Sequence, residues 1–205
     1  MNLAIFGATG GTGRPLVEQA LVAGHHITVL VRTPASFAIQ QERLHVVQGD
    51  VRQADQVAAV VAGQDAVLSA LGPRERGPVD LCTVAMTNIL AAMERHGVRR
   101  LVALSAYGAR DSHDRTLYNF MLWRMQKEKM RDKERMEELI ARSAVDWTLV
   151  RPSFLTNGPQ TGTYHSGTDR RMTVTSHIAR ANVAAFMLRQ VTDVAYVRQA
   201  PAITA

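Results

Sequence analysis

Short apolar runs alternate along the chain with longer segments in which apolar residues recur at helical spacing. The short runs are rich in Val, Ile and Leu and cover residues 3–6, 27–31, 44–47, 66–70, 101–104 and 147–150. Near-continuous apolar runs of this length are typical of strands in a parallel sheet that helices cover on both faces. The helical pattern covers residues 13–23, 53–62, 79–96 and 116–142. Gly24 and Gly97 follow two of these segments and are candidate helix C-caps.

The regular order of strand and helix predicts right-handed βαβ crossovers and hence a doubly wound parallel sheet, the Rossmann fold. We find no linker or repeat that divides the chain, so residues 1–205 are expected to form one α/β domain. After residue 150 the pattern changes. Residues 152–175 are rich in Pro, Gly, Thr and Ser and predict a long loop on the substrate side. A last helix at about 176–191 and a terminal strand around 194–197 are expected to follow it.

A glycine-rich segment directly follows the first predicted strand and precedes the first predicted helix. It contains the candidate phosphate-binding residues Gly7, Thr9, Gly10, Gly11, Thr12 and Gly13. Glycine permits positive φ and lets the backbone approach a pyrophosphate closely, and the helix N-terminus offers unpaired N–H groups to that anion. Because the segment stands at the start of the first βα unit, it predicts a dinucleotide-binding site.

The end of the second predicted strand bears on which dinucleotide is bound. An NAD site usually has a carboxylate there, about 20 residues beyond the glycine loop, that binds the ribose hydroxyls. This chain has Arg32 instead, and a guanidinium can pair with a 2′-phosphate. The sequence therefore favours NADP(H) over NAD(H), with a simply exposed arginine as the alternative interpretation of Arg32.

Two further strand ends carry candidate cofactor contacts. Asp50 can accept a hydrogen bond from an adenine amino group, and Val51 offers an apolar contact beside it. Alternatively, Asp50 only begins the next turn. Leu71 and Gly72 follow the fourth predicted strand, where small residues leave room for a ribose.

Taken together, the motifs resemble the flavin reductase/biliverdin reductase B type of atypical short-chain dehydrogenase, within the NmrA-like group. The resemblance rests on residues 7–14, 29–32, 49–51, 71–72, 105–106, 146–152 and 161–162. It implies an NADPH-dependent reductase that transfers hydride directly to a flat conjugated acceptor, such as a flavin, a linear tetrapyrrole or a quinone. It also implies that the nicotinamide lies beside Ser105 and that Pro152, Ser153 and Phe154 line its pocket.

The chain departs from this group at the positions that supply protons. The classical Tyr-x-x-x-Lys pair would align its Lys with Lys133, which could reach the ribose or could be a solvated helix residue, and its Tyr with Lys129. Phe154 stands where the flavin reductase pattern commonly has His. Tyr107 is the best replacement acid by position, although its phenol can equally pack on the next helix. The Ser105 hydroxyl could bind the nicotinamide amide or the acceptor, or be satisfied at its strand end.

Composition narrows the class of partner. The net charge is +6 and the pI about 10.1, but basic and acidic residues interleave over residues 110–142 and aromatic residues make up only 5%. A polynucleotide partner is therefore not expected, whereas a basic surface also steers small anionic ligands. Cys82 is the only cysteine, which excludes an intrachain disulfide, and no ligand spacing indicates a metal site. We expect a cytoplasmic monomer or small homo-oligomer without a membrane segment.

Three alternatives to the flavin-type reductase remain at the level of sequence. A regulatory protein could bind NADP(H) without turnover, and the missing tyrosine favours it. A biosynthetic ketoreductase would use Tyr107 as its acid. An epimerase or dehydratase would need an acid/base pair that the sequence does not show.

Overall fold

The apolar runs form strands whose side chains are buried on both faces of the sheet. The computed structural model of the chain describes residues 1–72 and 80–205. Its first six strands are β1 (Asn2–Phe6), β2 (His26–Val31), β3 (Leu44–Gln48), β4 (Ala66–Ser69), β5 (Arg100–Leu104) and β6 (Asp146–Pro152). Each pairs in parallel with its neighbours. The predicted α/β fold with a doubly wound parallel sheet is confirmed.

Five α-helices in the described residues cover the sheet from both sides. They are α1 (Gly13–Val22), α2 (Ala54–Val61), α3 (Leu81–His96), α4 (Leu117–Arg142) and α5 (Arg180–Arg189). One buried cluster joins α1 and α5 to one face, and a second joins α2, α3 and α4 to the other. The predicted start of the third helix, residue 79, lies outside the described residues. Gly97 takes the left-handed conformation, with φ of 69°, directly after α3.

The order of the strands places a switch point at the middle of the sheet. Within the described residues the order is β3-β2-β1-β4-β5-β6-β10-β8, with β8 at His165–Gly167 and β10 at Ala202–Thr204. Among these eight strands of the described chain, β8 alone runs antiparallel to its neighbour. Strands β1 to β3 follow one another toward one edge of the sheet, and β4 to β6 follow one another toward the other edge. The loops at the carboxyl ends of β1 and β4 therefore turn away from each other and leave a crevice.

The predicted terminal strand around 194–197 is wrong. Residues 194–197 form turns instead of a strand, since Val194 is 75% exposed and the backbone closes on itself through a hydrogen bond from Val197 N to Val194 O. The last strand is β10, whose Ala202 and Ile203 are buried beside β6.

The predicted helix at 176–191 is too long at its start. Its first residues form β9 (His177–Ala179), which pairs with β7 (Phe154–Thr156), because Ile178 is buried in the core there. The segment 152–175 is thus partly strand, and β7 and β9 hold its beginning against α5.

Candidate functional site

Two cavities meet at the carboxyl edge of the sheet. The first is lined by the turns that follow β1, β2, β3 and β4. The second extends from the glycine-rich loop past β5 and β6 to α4 and α5. The two cavities share four lining residues, Gly10, Ala70, Leu71 and Gly72. The cavities therefore form one continuous groove across the switch point.

The glycine-rich loop is packed so tightly against its surroundings that side chains are excluded at two positions. Gly7 has φ of 82°, and a Cβ there would lie 2.8 Å from the carbonyl carbon and oxygen of Ala70. A Cβ on Gly13, the first residue of α1, would lie 2.0 Å from Gly7 O. A hydrogen bond of 2.9 Å from Gly10 N to Gly7 O closes the turn. Gly13 therefore serves the packing of loop on helix, while Gly7, Thr9, Gly10, Gly11 and Thr12 line the groove.

Arg180 lies across Gly11 and was not identified by the sequence analysis. A Cβ on Gly11 would lie 2.8 Å from Arg180 Cδ and 2.9 Å from Nε. The guanidinium is half-buried and lines the second cavity beside the phosphate loop. The hydrophobic pattern predicted that the last helix begins at 176. Arg180 was therefore expected to be an interior helix residue with no special role. The signal that could have located it is a cation at the first residue of the last helix.

Arginines surround the end of the first cavity at β2 and β3. Arg32 follows β2 directly, is exposed and lines the cavity. Arg52 lines it too and pairs with Asp80 at 2.5 Å, and this pair lowers the pKa of the Asp80 carboxyl. The Asp50 carboxylate accepts a hydrogen bond from Arg52 N at 2.9 Å, so Asp50 shapes the turn as well as lining the cavity beside Val51. Sequence reasoning did not identify Arg52.

Lys133 stands at the junction of the two cavities. It is buried, with 7% of its surface exposed, and its Nζ donates to Leu71 O at 2.8 Å and to Leu104 O at 2.6 Å. The preceding residue, Asp132, is fully buried and accepts hydrogen bonds from the N–H groups of Cys82 and Thr83 at the start of α3. The helix α4 is therefore fixed at this turn, with one of the three ammonium protons of Lys133 left for a further partner.

Ser105 places an unsatisfied hydroxyl in the wall of the second cavity. Its residue is buried, and its Oγ has no hydrogen-bond partner among residues 1–72 and 80–205. Buried polar atoms in proteins are almost always paired. An orphaned hydroxyl at this wall therefore indicates a ligand group that completes its bonding.

The far wall of the second cavity is aromatic and aliphatic. Phe154 and Tyr118 have ring centroids 4.5 Å apart, and Leu122, Met130 and Pro152 line the cavity with them. Burial raises the pKa of Tyr118, which keeps its phenol neutral. Ser153 also lines the cavity but donates its hydroxyl toward Thr204 Oγ1 at 3.1 Å. This wall can accept the face of a planar molecule.

Tyr107, the candidate acid, binds another side chain of the protein instead of facing the second cavity. Its hydroxyl donates to Asp114 Oδ2 at 3.2 Å, and its ring meets the edge of Tyr118 with centroids 5.5 Å apart. Burial raises the pKa of the Tyr107 phenol. Among the described residues that line the second cavity, Tyr118 and not Tyr107 supplies the phenol.

Lys129 lines the cavity one helical turn before Lys133, at the position aligned with the classical tyrosine. It is half-buried, and Gln126 beside it has non-helical φ and ψ that kink α4. In the described part of the lining of this cavity, Lys129, Lys133 and Arg180 are the charged side chains, and all three are cations. The cavity therefore favours ligands with negative charge.

A buried ion pair supports the floor of the second cavity. Arg151 precedes Pro152 and donates to both oxygens of the fully buried Glu137, at 3.0 and 2.6 Å, and to Asp111 at 2.7 and 3.1 Å. Burial opposes the charge of Arg151, but these hydrogen bonds outweigh it and raise the pKa of the guanidinium. The pairing joins α4, β6 and the segment after β5.

The groove fits a nicotinamide dinucleotide. Its middle offers the glycine loop and the N-terminus of α1 to a pyrophosphate, and its two ends offer the orphaned Ser105 hydroxyl and the Arg32 guanidinium. No group of three or more metal-ligating side chains occurs within residues 1–72 and 80–205. None of the helices in that same part of the chain has the length and hydropathy needed to cross a membrane.

Residues 7–194 match the model of the NAD(P)H-binding family, and the chain belongs to this family. The match confirms the predicted class of cofactor, a nicotinamide dinucleotide, without distinguishing NADP from NAD. An uncharacterized chloroplastic protein of Arabidopsis thaliana is 29% identical over 170 residues, which cover 77% of this chain. The alignment covers 60% of that relative, so the chain spans less than two thirds of its length.

Solved structures show the same fold. The oxidoreductase ylbE from Lactococcus lactis superposes with a TM-score of 0.86 at 18% identity, covering 99% of this chain and 90% of its own. ChuY, an anaerobilin reductase from Escherichia coli O157:H7, superposes with a TM-score of 0.85 at 21% identity, covering 99% of this chain and 96% of its own. At these identities the likeness concerns the Rossmann architecture.

Proposed function

We propose that the chain is an NADPH-dependent reductase that transfers hydride to a flavin or a similar planar conjugated acceptor. The observation that carries the proposal is the continuous groove, in which a phosphate-binding loop opens directly into a cavity with an aromatic wall. A reduced nicotinamide supplies the hydride when it is bound there. The relatives support the reductase class, since two solved structures of the same fold are named as an oxidoreductase and an anaerobilin reductase.

Four residues of the second cavity have a role in positioning. The Ser105 hydroxyl binds the carboxamide of the nicotinamide and thereby completes its own hydrogen bonding. Lys133 uses its remaining proton to hold a ribose hydroxyl at the junction of the cavities. Phe154 and Tyr118 hold the acceptor ring in van der Waals contact with the nicotinamide side of the groove.

The proton that accompanies the hydride comes from solvent in this proposal. Tyr107 donates its hydroxyl to Asp114, and Phe154 has no proton to give. A reduced flavin exchanges its N–H proton with water, so flavin reduction needs no dedicated acid in the protein. Ketone reduction does need one, and Tyr107, the acid that the ketoreductase hypothesis assigned to it, bonds to Asp114 outside the lining of the second cavity, which is why that function is less favoured.

The cofactor preference rests on Arg32. We predict that Arg32→Ala weakens NADPH binding by about 10- to 100-fold and NADH binding by less than about threefold, because it removes a charge-assisted bond to the 2′-phosphate. Calorimetric titration of both cofactors measures this difference. The control is Arg142→Gln. It removes an equal charge at the last residue of α4, where Arg142 pairs with Glu138. Equal losses for NADPH and NADH would show that Arg32 does not bind the phosphate.

The reaction is tested by the loss of NADPH absorbance with FMN, riboflavin, biliverdin and a quinone as acceptors. We expect turnover with at least one flavin and faster turnover with NADPH than with NADH. Tight NADPH binding without turnover of any acceptor would contradict the reductase and favour the regulatory protein. Loss of turnover in Tyr107→Phe with intact cofactor binding would favour the ketoreductase.

A further inference from the structure

Arg180 lies between the phosphate loop and the second cavity, which is the acceptor cavity of the proposed reductase. Its side chain lies directly over Gly11, with Cδ and Nε within 2.9 Å of where a Cβ would stand. Gly10, Gly11 and Thr12 line the cavity beside it. The loop and the first turn of α1 are where the Rossmann fold receives a pyrophosphate. The guanidinium is therefore next to the anion that this loop binds.

The hydrogen bonds of Arg180 leave its charge uncompensated. Its Nη1 donates to Asn157 Oδ1 at 2.6 Å and to Leu155 O at 3.4 Å, and both acceptors are neutral. In the described part of the chain, the ion pairs of other arginines involve Asp or Glu side chains, and Arg180 has no such partner. A half-buried guanidinium without a carboxylate, beside a phosphate loop, favours an anionic ligand.

The same side chain holds the segment that walls the acceptor cavity. Leu155 and Asn157 both line that cavity, next to Phe154. Two residues beyond Arg180 on α5, the buried Asn182 accepts hydrogen bonds from the N–H groups of Thr161 and Gly162. The first turn of α5 therefore anchors residues 155–162 at two points, and Arg180 also contacts the phosphate loop.

We propose that Arg180 binds the pyrophosphate of the cofactor and, through Asn157, couples cofactor binding to the position of residues 155–162. The proposal rests on the proposed function, because it needs a dinucleotide in the groove. With the pyrophosphate bound, Arg180 is held from two sides, by the anion and by Asn157. The acceptor wall is then more rigid in the cofactor complex than in the free protein, and the acceptor binds after the cofactor.

The binding half of the proposal is tested with ligands that differ in the pyrophosphate. Wild type, Arg180→Lys, Arg180→Gln and the control Arg142→Gln are titrated with NADP⁺ and with adenosine 2′-monophosphate, which lacks the pyrophosphate. We expect Arg180→Gln to weaken NADP⁺ binding by roughly 10-fold or more and Arg180→Lys by less, since a lysine keeps the charge but not the fork. Binding of adenosine 2′-monophosphate should stay within about twofold of wild type in all variants.

The outcomes separate this proposal from the proposed function. Wild-type NADP⁺ affinity in Arg180→Gln would overturn the role of Arg180 and leave the reductase intact. An equal loss of NADP⁺ and adenosine 2′-monophosphate would overturn it too, because the effect would then not come from the pyrophosphate. Absence of NADP⁺ and NADPH binding by wild type would overturn the proposed function and this proposal together.

The coupling is tested by hydrogen exchange of residues 154–162 with and without NADP⁺. We expect NADP⁺ to slow exchange there in wild type, and Asn157→Ala to abolish that slowing while NADP⁺ affinity changes by less than about threefold. Gly158→Ala is the matched control, since its Cβ would lie at an ordinary 3.6 Å from Ala179 Cβ. Slowing in Asn157→Ala equal to that in wild type would overturn the coupling.

Discussion

The two halves of the groove, which are the first and the second cavity, differ in the parts of the chain that line them. The half that follows β1 to β4 is made of short turns, and Gly7, Gly10 and Gly49 bring backbone without side chains into its lining. The half beside β5 and β6 is made of side chains from α4, α5 and the segment after β6. The first half follows the general dinucleotide-binding pattern of the Rossmann fold, and the second depends on side chains from distant parts of this chain.

The difference also concerns how the two halves are held. The glycine loop is fixed by close contacts of backbone with backbone, such as Gly13 against Gly7 O. The acceptor half is fixed by long-range polar bonds: Lys133 to Leu71 O and Leu104 O, and Arg151 to Glu137. Steric packing tolerates almost no change of residue, whereas polar anchors permit the surrounding wall to vary. We therefore expect substitutions in the acceptor half to change the substrate more readily than the cofactor.

The largest effect is expected where backbone meets backbone. Gly13→Ala should destabilise the fold by more than about 3 kcal/mol and abolish NADPH binding, because its Cβ would stand 2.0 Å from Gly7 O. Thermal unfolding and cofactor titration measure the two effects. Gly158→Ala, in the acceptor half, should change the free energy of unfolding by less than about 1 kcal/mol. If both variants unfolded alike, the steric account of the loop would be wrong.

An intermediate effect is expected for the polar anchor of the acceptor half. Glu137→Gln should lower the free energy of unfolding by about 3 kcal/mol, because it leaves the buried Arg151 guanidinium without its buried carboxylate. The adjacent Glu138→Gln should cost less than about 0.5 kcal/mol, since Glu138 pairs with Arg142 at the surface. Chemical denaturation of the two variants makes the comparison. A small cost for Glu137→Gln would mean that Asp111 alone satisfies Arg151.

The smallest effect is expected at the open side of the acceptor cavity. Lys129→Gln should raise the KM for FMN about three- to tenfold and leave the KM for riboflavin unchanged, because only FMN carries a phosphate that the half-buried Lys129 ammonium can attract. Steady-state kinetics with saturating NADPH measure the ratio of the two KM values, with Lys127→Gln, an exposed neighbour on α4, as the control. A parallel change for FMN and riboflavin would exclude a phosphate contact at Lys129.

Prediction from sequence succeeded where the local structure depends on neighbouring residues in the chain. The glycine loop is one strand–turn–helix unit, so its place in the groove follows from local order and the parallel sheet. It failed where a segment depends on distant partners. Residues 194–197 have the composition of a strand, yet the sheet edge beside β6 is taken by β10. Residues 177–179 look helical, yet β7 draws them into a strand pair.

The sequence by itself determined the doubly wound sheet, the NAD(P)H-binding family and the glycine-rich turn between β1 and α1, because hydrophobic period and glycine spacing act over a few residues. Only the tertiary structure decided that Tyr107 bonds to Asp114, that the Ser105 hydroxyl finds no partner within residues 1–72 and 80–205, and that Arg180 lies over Gly11. Gly11 and Arg180 lie near opposite ends of the chain and meet only because α1 and α5 pack on the same face of the sheet. Such contacts depend on how helices and strands pack, and no local pattern in the chain encodes them.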